Sequence, residues 1–237
     1  MLILLPAYNE AFSLPDLAAN IAQALPADSY RIILIDDGST DGTAAVIENL
    51  TKKYPLSCIS HSVNRGLGAA IKTGFKFAIR EKDDYIITMD ADNTHPPSAI
   101  IPMLEKLDSG IDVVIASRYA PEGKTQGVSV FRQVLSNGAS LLLRLVFPIP
   151  GVRDYTSGFR AYRRETLAKA FQVYGDNFIT AGDFSCMAEV LVKLAKLGIK
   201  AAEVPLHLRY DRKKGKSKIK IIRTIISYAK LIWKERI

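Results

Sequence analysis

The sequence predicts an α/β fold, a mostly parallel central sheet with helices on both faces. Residues 1–5 and 30–35 are largely apolar runs that end at Pro6 and Asp36, as buried strands of a parallel sheet do. Hydrophobic residues make up 48% of the 237 residues and charged residues 24%, which suits one globular domain and excludes a disordered chain or a coiled coil. Between the two runs, four apolar residues recur at helical spacing: Leu14, Leu17, Ile21 and Leu25.

The remaining elements follow in order from the same alternation. We expect a helix over 41–53, a strand over 56–60, a helix over 66–82, a strand over 85–89, a helix over 97–107 and a strand over 112–116. Beyond residue 116 the alternation weakens. There we expect a mobile loop over 123–127, a helix over 130–147, a strand over 158–162, a helix over 184–197, a strand over 199–204 and a final helix over 217–236.

Positive charge is concentrated at the C-terminal end. The net charge is +8, and residues 206–237 contain 11 Lys and Arg against two acidic residues, so the other 205 residues sum to −1. We therefore separate a body, residues 1–210, from a basic loop and helix, residues 211–237. A basic tail of this kind predicts an anionic partner, namely nucleic acid, an anionic membrane surface or a phosphorylated ligand.

Two patterns bear on the cellular compartment. The longest stretch without Asp, Glu, Lys or Arg is residues 93–104, only 12 residues long, so we expect no transmembrane segment. The first six residues do not resemble a secretory signal. Cys58 and Cys186 are isolated, which favours two reduced thiols over a redox or metal site. We expect a cytoplasmic chain.

Polar side chains follow the predicted strands, where ligands bind in open α/β sheets. Tyr8 and Glu10 follow the first strand and Asp37 follows the second. Tyr8 offers a flat face for stacking, while the carboxylates accept hydrogen bonds from a nucleobase or a ribose. The alternative is that such residues only cap the following helices.

The strand over 85–89 ends in Asp90-Ala91-Asp92, which presents two carboxylates in the same crevice. Oxygen ligands of this kind suit Mg²⁺ or Mn²⁺, which neutralises a diphosphate leaving group. A solvated loop is the alternative. His95 follows as a candidate third ligand, although a lone histidine before two prolines is more often structural.

Two helices carry unusual polar stripes. In the helix over 130–147, four polar residues at i, i+4 spacing form one stripe: Arg132, Ser136, Ser140 and Arg144. Such a stripe can hold an anion at an apolar surface. The alternative is that the stripe is solvated while the other face of the helix packs on the core. The last helix is basic and amphipathic, which is typical of a membrane surface, unless its apolar face packs on the sheet. That apolar face contains Ile222, Ile226, Ala229 and Trp233, and the basic one Lys220, Arg223, Ser227, Lys230 and Lys234. The Gly- and Lys-rich loop over 209–218 has the composition of a lid over a diphosphate, or of a solvated charge run.

Six motifs in register give the sequence a family resemblance from Leu2 to about Lys218. It resembles family 2 glycosyltransferases, in particular the dolichol-phosphate and polyprenyl-phosphate mannosyltransferase group. The resemblance implies a GT-A (Rossmann-like) fold, a nucleotide-sugar donor, a divalent metal and a polyprenyl phosphate acceptor. The motifs are Pro6-Ala7-Tyr8-Asn9-Glu10, residues 35–43 (IDDGSTDGT), Asn64-Arg65-Gly66-Leu67-Gly68, Met89-Asp90-Ala91-Asp92, Ala116-Ser117-Arg118-Tyr119 and Thr156-Ser157-Gly158-Phe159-Arg160.

The resemblance also implies site residues. The nucleoside pocket comprises Pro6, Tyr8, Glu10, Ile35 and Asp37, and the metal and diphosphate site comprises Asp90, Ala91 and Asp92. Thr94 stands where some relatives have a Gln ligand. Arg118 lies near the phosphates, Arg132 and Ser136 engage the acceptor phosphate, and Arg212 with Lys218 belongs to a loop that closes over the donor. Asp92, Arg118 and Arg132 are the expected catalytic residues.

The expected reaction is inverting transfer of a hexose, first of all mannose from GDP-mannose, to dolichyl or polyprenyl phosphate with Mg²⁺ or Mn²⁺. UDP-glucose or another UDP-sugar, or a glycan or other hydroxyl acceptor, remains the alternative, because the segments 176–182 and 184–189 depart from the family pattern. A nucleic-acid-binding module is disfavoured, since acidic strand ends repel phosphates. Many relatives continue into transmembrane helices, whereas this sequence stops before any such segment. We therefore expect it to attach peripherally to the cytoplasmic face of a membrane, to use a membrane-protein partner, or to be a natural or engineered truncation.

Overall fold

The computed structural model describes residues 1–213 and 221–236, and contains a seven-stranded sheet. Its strands are β1 (Leu2–Ala7), β2 (Arg31–Asp36), β3 (Leu56–Ser60), β4 (Tyr85–Thr88), β5 (Val113–Ser117), β7 (Arg160–Arg163) and β8 (Ala201–Pro205). Their order in the sheet is β3-β2-β1-β4-β7-β5-β8, and all neighbours are parallel except β7, which runs antiparallel to β4 and β5. This confirms the α/β prediction. A separate pair is formed by β6 (Lys124–Gln126) and β9 (His207–Arg209).

Eight α-helices are described. The helices are α1 (Leu14–Ala24), α2 (Thr43–Thr51), α3 (Leu67–Ala78), α4 (Ile100–Asp108), α5 (Val130–Val146), α6 (Arg164–Tyr174), α7 (Cys186–Lys196) and α8 (Ile221–Arg236). No helix among the described residues is long and apolar enough to cross a membrane.

Successive residues of the central strands enter two different cores, because side chains alternate across a sheet. Leu4 of β1 packs in the core with Phe75 of α3, and its neighbour Ile3 packs in the other core with Leu17 of α1. Residues 2–5 of β1 and 32–35 of β2 are at most 3% exposed, so these strands are buried on both faces. This explains why they read as continuous apolar runs.

The structure differs from the expected elements in two places. The segment expected as a mobile loop contains β6, which pairs in parallel with β9, with Thr125 opposite Leu208. Helix α6 was not predicted, although Leu167 and Ala170 are buried on its inner side. The mean hydropathy of this segment is low, so its few apolar residues did not indicate a buried helix. The division of the chain at residue 210 stays a prediction.

Candidate active site

One pocket of about 710 Å³ lies at the carboxyl ends of β1, β2, β4 and β5. Ile35 is fully buried in the sheet and is not among the described residues that line this pocket. The pocket gathers side chains from Pro6 to Tyr228, which are 222 positions apart in the sequence. Nine of the expected site residues line it: Pro6, Tyr8, Glu10, Asp37, Asp90, Ala91, Asp92, Arg118 and Ser136.

The turn after β1 is held by the loop that follows β2. The Asn9 amide donates to Ser39 Oγ at 2.9 Å, and the Glu10 amide donates to Thr43 Oγ1 at 2.9 Å. Asn9 has a positive φ of 54°, a conformation that asparagine tolerates better than most residues. These backbone bonds orient the turn so that the side chains of Tyr8 and Glu10 border the pocket.

Asp37 lines the pocket and also joins the end of β2 to the loop before α3. Its carboxylate accepts hydrogen bonds from the Arg65 amide at 3.0 Å and the Gly66 amide at 2.8 Å, and His61 Nδ1 lies 2.6 Å away. Gly66 is required because its φ is +91° and a Cβ would lie 2.4 Å from the Gly182 carbonyl oxygen. Asp37 therefore both shapes this wall of the pocket and presents a carboxylate to it.

Asp90 and Asp92 are held in different ways. Asp92 Oδ1 accepts hydrogen bonds from the Thr94 hydroxyl at 2.7 Å and the Thr94 amide at 3.2 Å, while its Oδ2 pairs with the Lys213 ammonium. Asp90 borders the pocket beside Gly158, where a Cβ would lie 3.1 Å from Asp90 Oδ1. Thr94 thus orients one carboxylate, and a glycine leaves room for the other.

His95 is placed as a supporting residue. Its ring stacks on Phe159 with centroids 5.1 Å apart, and its Nδ1 accepts a hydrogen bond from the Asp90 amide at 3.1 Å. Because Nδ1 is the acceptor, the neutral ring carries its proton on Nε2, which lies 3.9 Å from Asp90 Oδ2. A protonated nitrogen does not bind a metal, so this arrangement favours the structural interpretation of His95.

The electrostatics of the carboxylate pair suit a cation. Burial raises the pKa of Asp90, and the charge of Asp92 adds to this shift. Burial alone would also raise the pKa of Asp92, but the Lys213 ammonium lowers it below its usual value. The ammonium is a cation bound at this donor set, so the site accepts positive charge. Among the described residues no cluster of three His, Cys, Asp or Glu side chains could complete a cage, so other ligands would come from phosphate and water.

A buried carboxylate holds the side chain of Arg118 in place. Its Nε and one terminal nitrogen each donate to the Asp154 carboxylate at 2.8 Å, a bidentate pair in which Asp154 is fully buried. Burial would raise the pKa of Asp154, but the guanidinium holds it below its usual range. The pair fixes the position of Arg118 on the pocket wall.

Hydroxyl groups adjoin Arg118 on the side of α5. Arg118 donates to Thr156 Oγ1 at 2.6 Å, Thr156 Oγ1 lies 3.2 Å from Ser136 Oγ, and the Tyr119 hydroxyl donates to Ser136 Oγ at 3.2 Å. We call Arg118, Tyr119, Ser136 and Thr156 the hydroxyl cluster. Several donors converge here, so the cluster can bind an anion. Arg132 lies in α5, but its side chain is outside the described part of the structure.

Helix α5 differs from an ordinary surface helix because it exposes several apolar side chains on its outer side, although Leu143 is buried on its inner side. Ser140 is buried and Ser136 borders the pocket, whereas Val134 and Leu145 are 61% and 73% exposed. The interpretation of the stripe as solvated is therefore wrong for Ser140, whereas Ser136 is partly exposed to the pocket and Arg144 is exposed. The apolar side of α5, which also includes Val130, Leu141 and Leu142, faces outward.

Helix α8 packs against α5 and α7 through a face that the sequence did not single out. Tyr228 and Leu231 are buried, while Ile226 and Trp233 of the expected apolar face are exposed, Trp233 by 74%. The alternative that this face packs on the sheet is wrong for those two residues. The side chain of Ile222 lies outside the described residues.

Of three basic residues in the C-terminal segment, Arg212, Lys213 and Lys218, the structure describes the first two. Arg212 is exposed and is not among the described lining residues, whereas its neighbour Lys213 does line the pocket. Lys218 lies outside the described residues. Sequence reasoning missed Lys213 as well as Tyr119, Thr156 and Tyr228. The motif context of Thr156 was a usable signal, but nothing in the basic run distinguished Lys213 from its neighbours.

Comparison with known proteins decides the family. The model of the family described as glycosyl transferase family 2 matches residues 2–171. The chain belongs to glycosyl transferase family 2. This confirms the resemblance found in the sequence motifs.

Curated relatives share this family 2 sequence over most of its length. The chain is 35% identical over 233 residues to the dolichol-phosphate mannosyltransferase of Pyrococcus furiosus, a match covering 98% of this chain and 62% of that protein. It is 36% identical over 170 residues to the polyprenol monophosphomannose synthase of Mycolicibacterium smegmatis, covering 71% and 63%. It is 30% identical over 220 residues to the undecaprenyl-phosphate mannosyltransferase of Micrococcus luteus, covering 92% and 87%. The chain thus spans less than two thirds of the first two relatives.

Solved structures confirm the GT-A fold of this family 2 chain. Glucosyl-3-phosphoglycerate synthase from Mycobacterium tuberculosis, in complex with Mn²⁺, UDP and phosphoglyceric acid, superposes with a TM-score of 0.71 at 19% identity, covering 99% of this chain and 78% of that one. A mannosyltransferase from Pyrobaculum calidifontis, in complex with GDP-mannose and Mn²⁺, has a TM-score of 0.63 at 19% identity, covering 99% and 62%. At these identities the likeness concerns the fold.

Proposed function

We propose that this chain transfers mannose from GDP-mannose to a polyprenyl phosphate, of the dolichyl or a related type, with inversion at the anomeric carbon. The observation that carries the proposal is that one pocket joins two chemically different halves. The donor half contains Tyr8, Glu10, Asp37, Asp90 and Asp92, and the acceptor half is the hydroxyl cluster beneath the outward apolar face of α5. The names of the three curated relatives support mannose transfer to a polyprenyl phosphate.

In the donor half, Pro6 and Tyr8 would contact the nucleobase, while Glu10 and Asp37 would accept hydrogen bonds from the nucleoside. Asp90 and Asp92 would hold Mg²⁺ or Mn²⁺, which supplies charge neutralisation for the departing diphosphate. The two solved structures of similar fold contain Mn²⁺, which supports a divalent metal. Arg212 and Lys218 would approach the diphosphate from the C-terminal loop.

In the acceptor half, Ser136 and Arg132 would align the incoming phosphate, with Arg118 between the acceptor and the donor diphosphate. A lipid phosphate is already largely ionised near neutral pH, so it attacks without a strong general base. Catalysis then depends on positioning and charge stabilisation. The buried Arg118–Asp154 pair supports this interpretation because it holds a guanidinium in place before the substrates bind.

The outward apolar faces of α5 and α8 support peripheral attachment to the cytoplasmic face of a membrane. Val134, Leu145, Ile226 and Trp233 are exposed, and the exposed Lys230 lies on α8 among them. Apolar side chains with basic neighbours bind an anionic lipid surface. We call the exposed apolar residues of these two helices the lipid-facing surface, which comprises Val130, Val134, Leu141, Leu142, Leu145, Ile225, Ile226 and Trp233. It would place the acceptor half next to the polyprenyl chain.

The experiment that tests this proposal is a transfer assay with labelled GDP-mannose and, in parallel, labelled UDP-glucose, using polyprenyl phosphates of several lengths. We expect metal-dependent label from GDP-mannose in the organic phase, and its loss in EDTA. Label from UDP-glucose alone would replace the donor assignment with the UDP-sugar alternative. Donor hydrolysis without a lipid product would contradict the acceptor assignment and favour a hydroxyl acceptor.

A further inference from the structure

Lys213 reaches from the C-terminal basic segment into the carboxylate pair. Its ammonium forms an ion pair with Asp92 Oδ2, and the side chains of Lys213 and Asp92 are only 13% and 10% exposed. The ammonium also lies 5.6 Å from the centroid of the Tyr210 ring, over its face. This contact joins positions 121 residues apart in the sequence and is well shielded from water.

The backbone holds Lys213 in this position. The Arg209 amide donates to the Thr94 carbonyl at 2.9 Å, so the segment before Lys213 is tied to the loop that follows Asp92. Strand β9 is also paired with β6, and the Tyr210–Arg212 turn leads directly into Lys213. These backbone contacts therefore place Lys213 next to Asp92.

The charges around the ammonium are those of a cation site. Burial alone would lower the pKa of Lys213, but the carboxylates of Asp92, Asp90 and Glu10 raise it, so the amine is charged at neutral pH. The same Asp90 and Asp92 are the proposed ligands of the divalent metal. Two cations cannot share Asp92 Oδ2 at contact distance without strong repulsion.

We propose that Lys213 is the resident counter-ion of the Asp90–Asp92 pair in the ligand-free protein, and that it moves to the donor diphosphate when a divalent cation binds. This inference rests on the metal role in the proposed function. Lys213 must leave Asp92 before a divalent cation can bind there, and a nucleoside diphosphate offers it a new anionic partner. The free protein therefore binds metal weakly, and metal and nucleotide strengthen each other's binding.

The test measures Mn²⁺ binding by electron paramagnetic resonance and GDP binding by calorimetry, in the full chain and its Lys213→Gln variant. Without nucleotide, we expect the variant to bind Mn²⁺ about tenfold more tightly than the wild type, a coupling of ordinary size. At saturating Mn²⁺, we expect it to bind GDP about tenfold more weakly. A merely structural role for Lys213 would not change the two affinities in opposite directions.

Two further variants control the experiment. Lys213→Arg keeps the positive charge and is expected to restore wild-type values. Lys52→Gln removes an exposed lysine whose partner Glu48 is also exposed, so it changes the net charge equally without touching the site. Thermal melting checks that each variant is folded.

The inference is overturned if Lys213→Gln binds Mn²⁺ no more tightly than the wild type, or if its affinity for GDP does not fall. A wild-type protein that binds no Mn²⁺ even with GDP would overturn the metal assignment and this inference together. A protein that shows both binding effects but transfers no mannose would retain this inference and overturn the proposed function.

Discussion

The two halves of the pocket achieve their geometry in opposite ways. In the donor half, side chains stand at the ends of parallel strands, and backbone amides such as those of Arg65 and Gly66 hold Asp37 in place. In the acceptor half, helix α5 turns Ser140 inward beside the buried Leu143 and exposes Val134 and Leu145 on its outer side. Under the proposed function, the donor half would take a soluble nucleotide and the acceptor half an anion that arrives at an apolar surface.

This difference shows where specificity resides in the chain. A strand-end crevice with paired carboxylates suits many nucleotide sugars, so the donor half by itself identifies little beyond the family. Helix α5 restricts the acceptor more, because exposing Val134 and Leu145 to water is unfavourable unless another apolar surface covers them. The acceptor half thus carries most of the information about the substrate.

The largest expected effect comes from breaking the donor half at Asp92. Asp92→Asn should reduce mannose transfer at least about 100-fold, because it removes a preorganised charge at the diphosphate. The reduction should persist at saturating acceptor, as measured by kcat in the transfer assay. Asp176→Asn is the control, since Asp176 is exposed and pairs with Lys72 and Lys76. Near-normal turnover in Asp92→Asn with metal present would remove the metal role.

A smaller effect is expected in the acceptor half at Ser136. Ser136→Ala should raise the KM for polyprenyl phosphate about tenfold, since a hydrogen bond to a charged group contributes roughly 1.5–3 kcal/mol. The affinity for GDP should stay unchanged. Asn137→Ala, an exposed position on the same helix, serves as the control. An equal loss of donor affinity would show that the two halves are not separable and that Ser136 is misassigned.

The lipid-facing surface should contribute less per residue. The double variant Leu145→Glu and Trp233→Glu should bind vesicles containing anionic lipid about fivefold more weakly or worse, as sedimentation measures, while the KM for a short water-soluble acceptor stays the same. The double variant Ile101→Glu and Val173→Glu introduces the same charge at exposed apolar positions of α4 and α6, outside this surface. If it weakened vesicle binding as much, the effect would be one of net charge and not of the lipid-facing surface.

The smallest effect is expected from mild acid on the acceptor half. Asp154 has a pKa lowered by Arg118, so its stabilisation is complete above the unfolded pKa of about 3.9 and is lost as the pH falls through the lower folded value. The pair should therefore stay intact between pH 7 and pH 5. Urea unfolding of Asp154→Asn and wild type should give a constant difference over that range. A difference that shrinks before pH 5 would show that the pair is weaker than its burial indicates.

The sequence predicted the donor half better than the acceptor half for physical reasons. Buried parallel strands leave apolar runs, and the residues that follow them, such as Tyr8 and Asp92, are brought to one edge by topology alone. The orientation of α5 depends on which of its faces the neighbouring α8 covers. The sequence was therefore compatible with a polar stripe that faces the pocket and with one that faces solvent. Lys213 was not predicted because the pairing of β6 with β9, a tertiary contact, selects it from a run of lysines.

The most direct test of the central claim compares a polyprenyl phosphate with the polyprenol of the same chain length as acceptors for labelled mannose. The claim is that the acceptor half binds a phosphate, which attacks without a general base. We predict label in the lipid product with the phosphate and none with the alcohol. Label in the alcohol at a comparable rate would contradict the claim, since a hydroxyl acceptor needs a base.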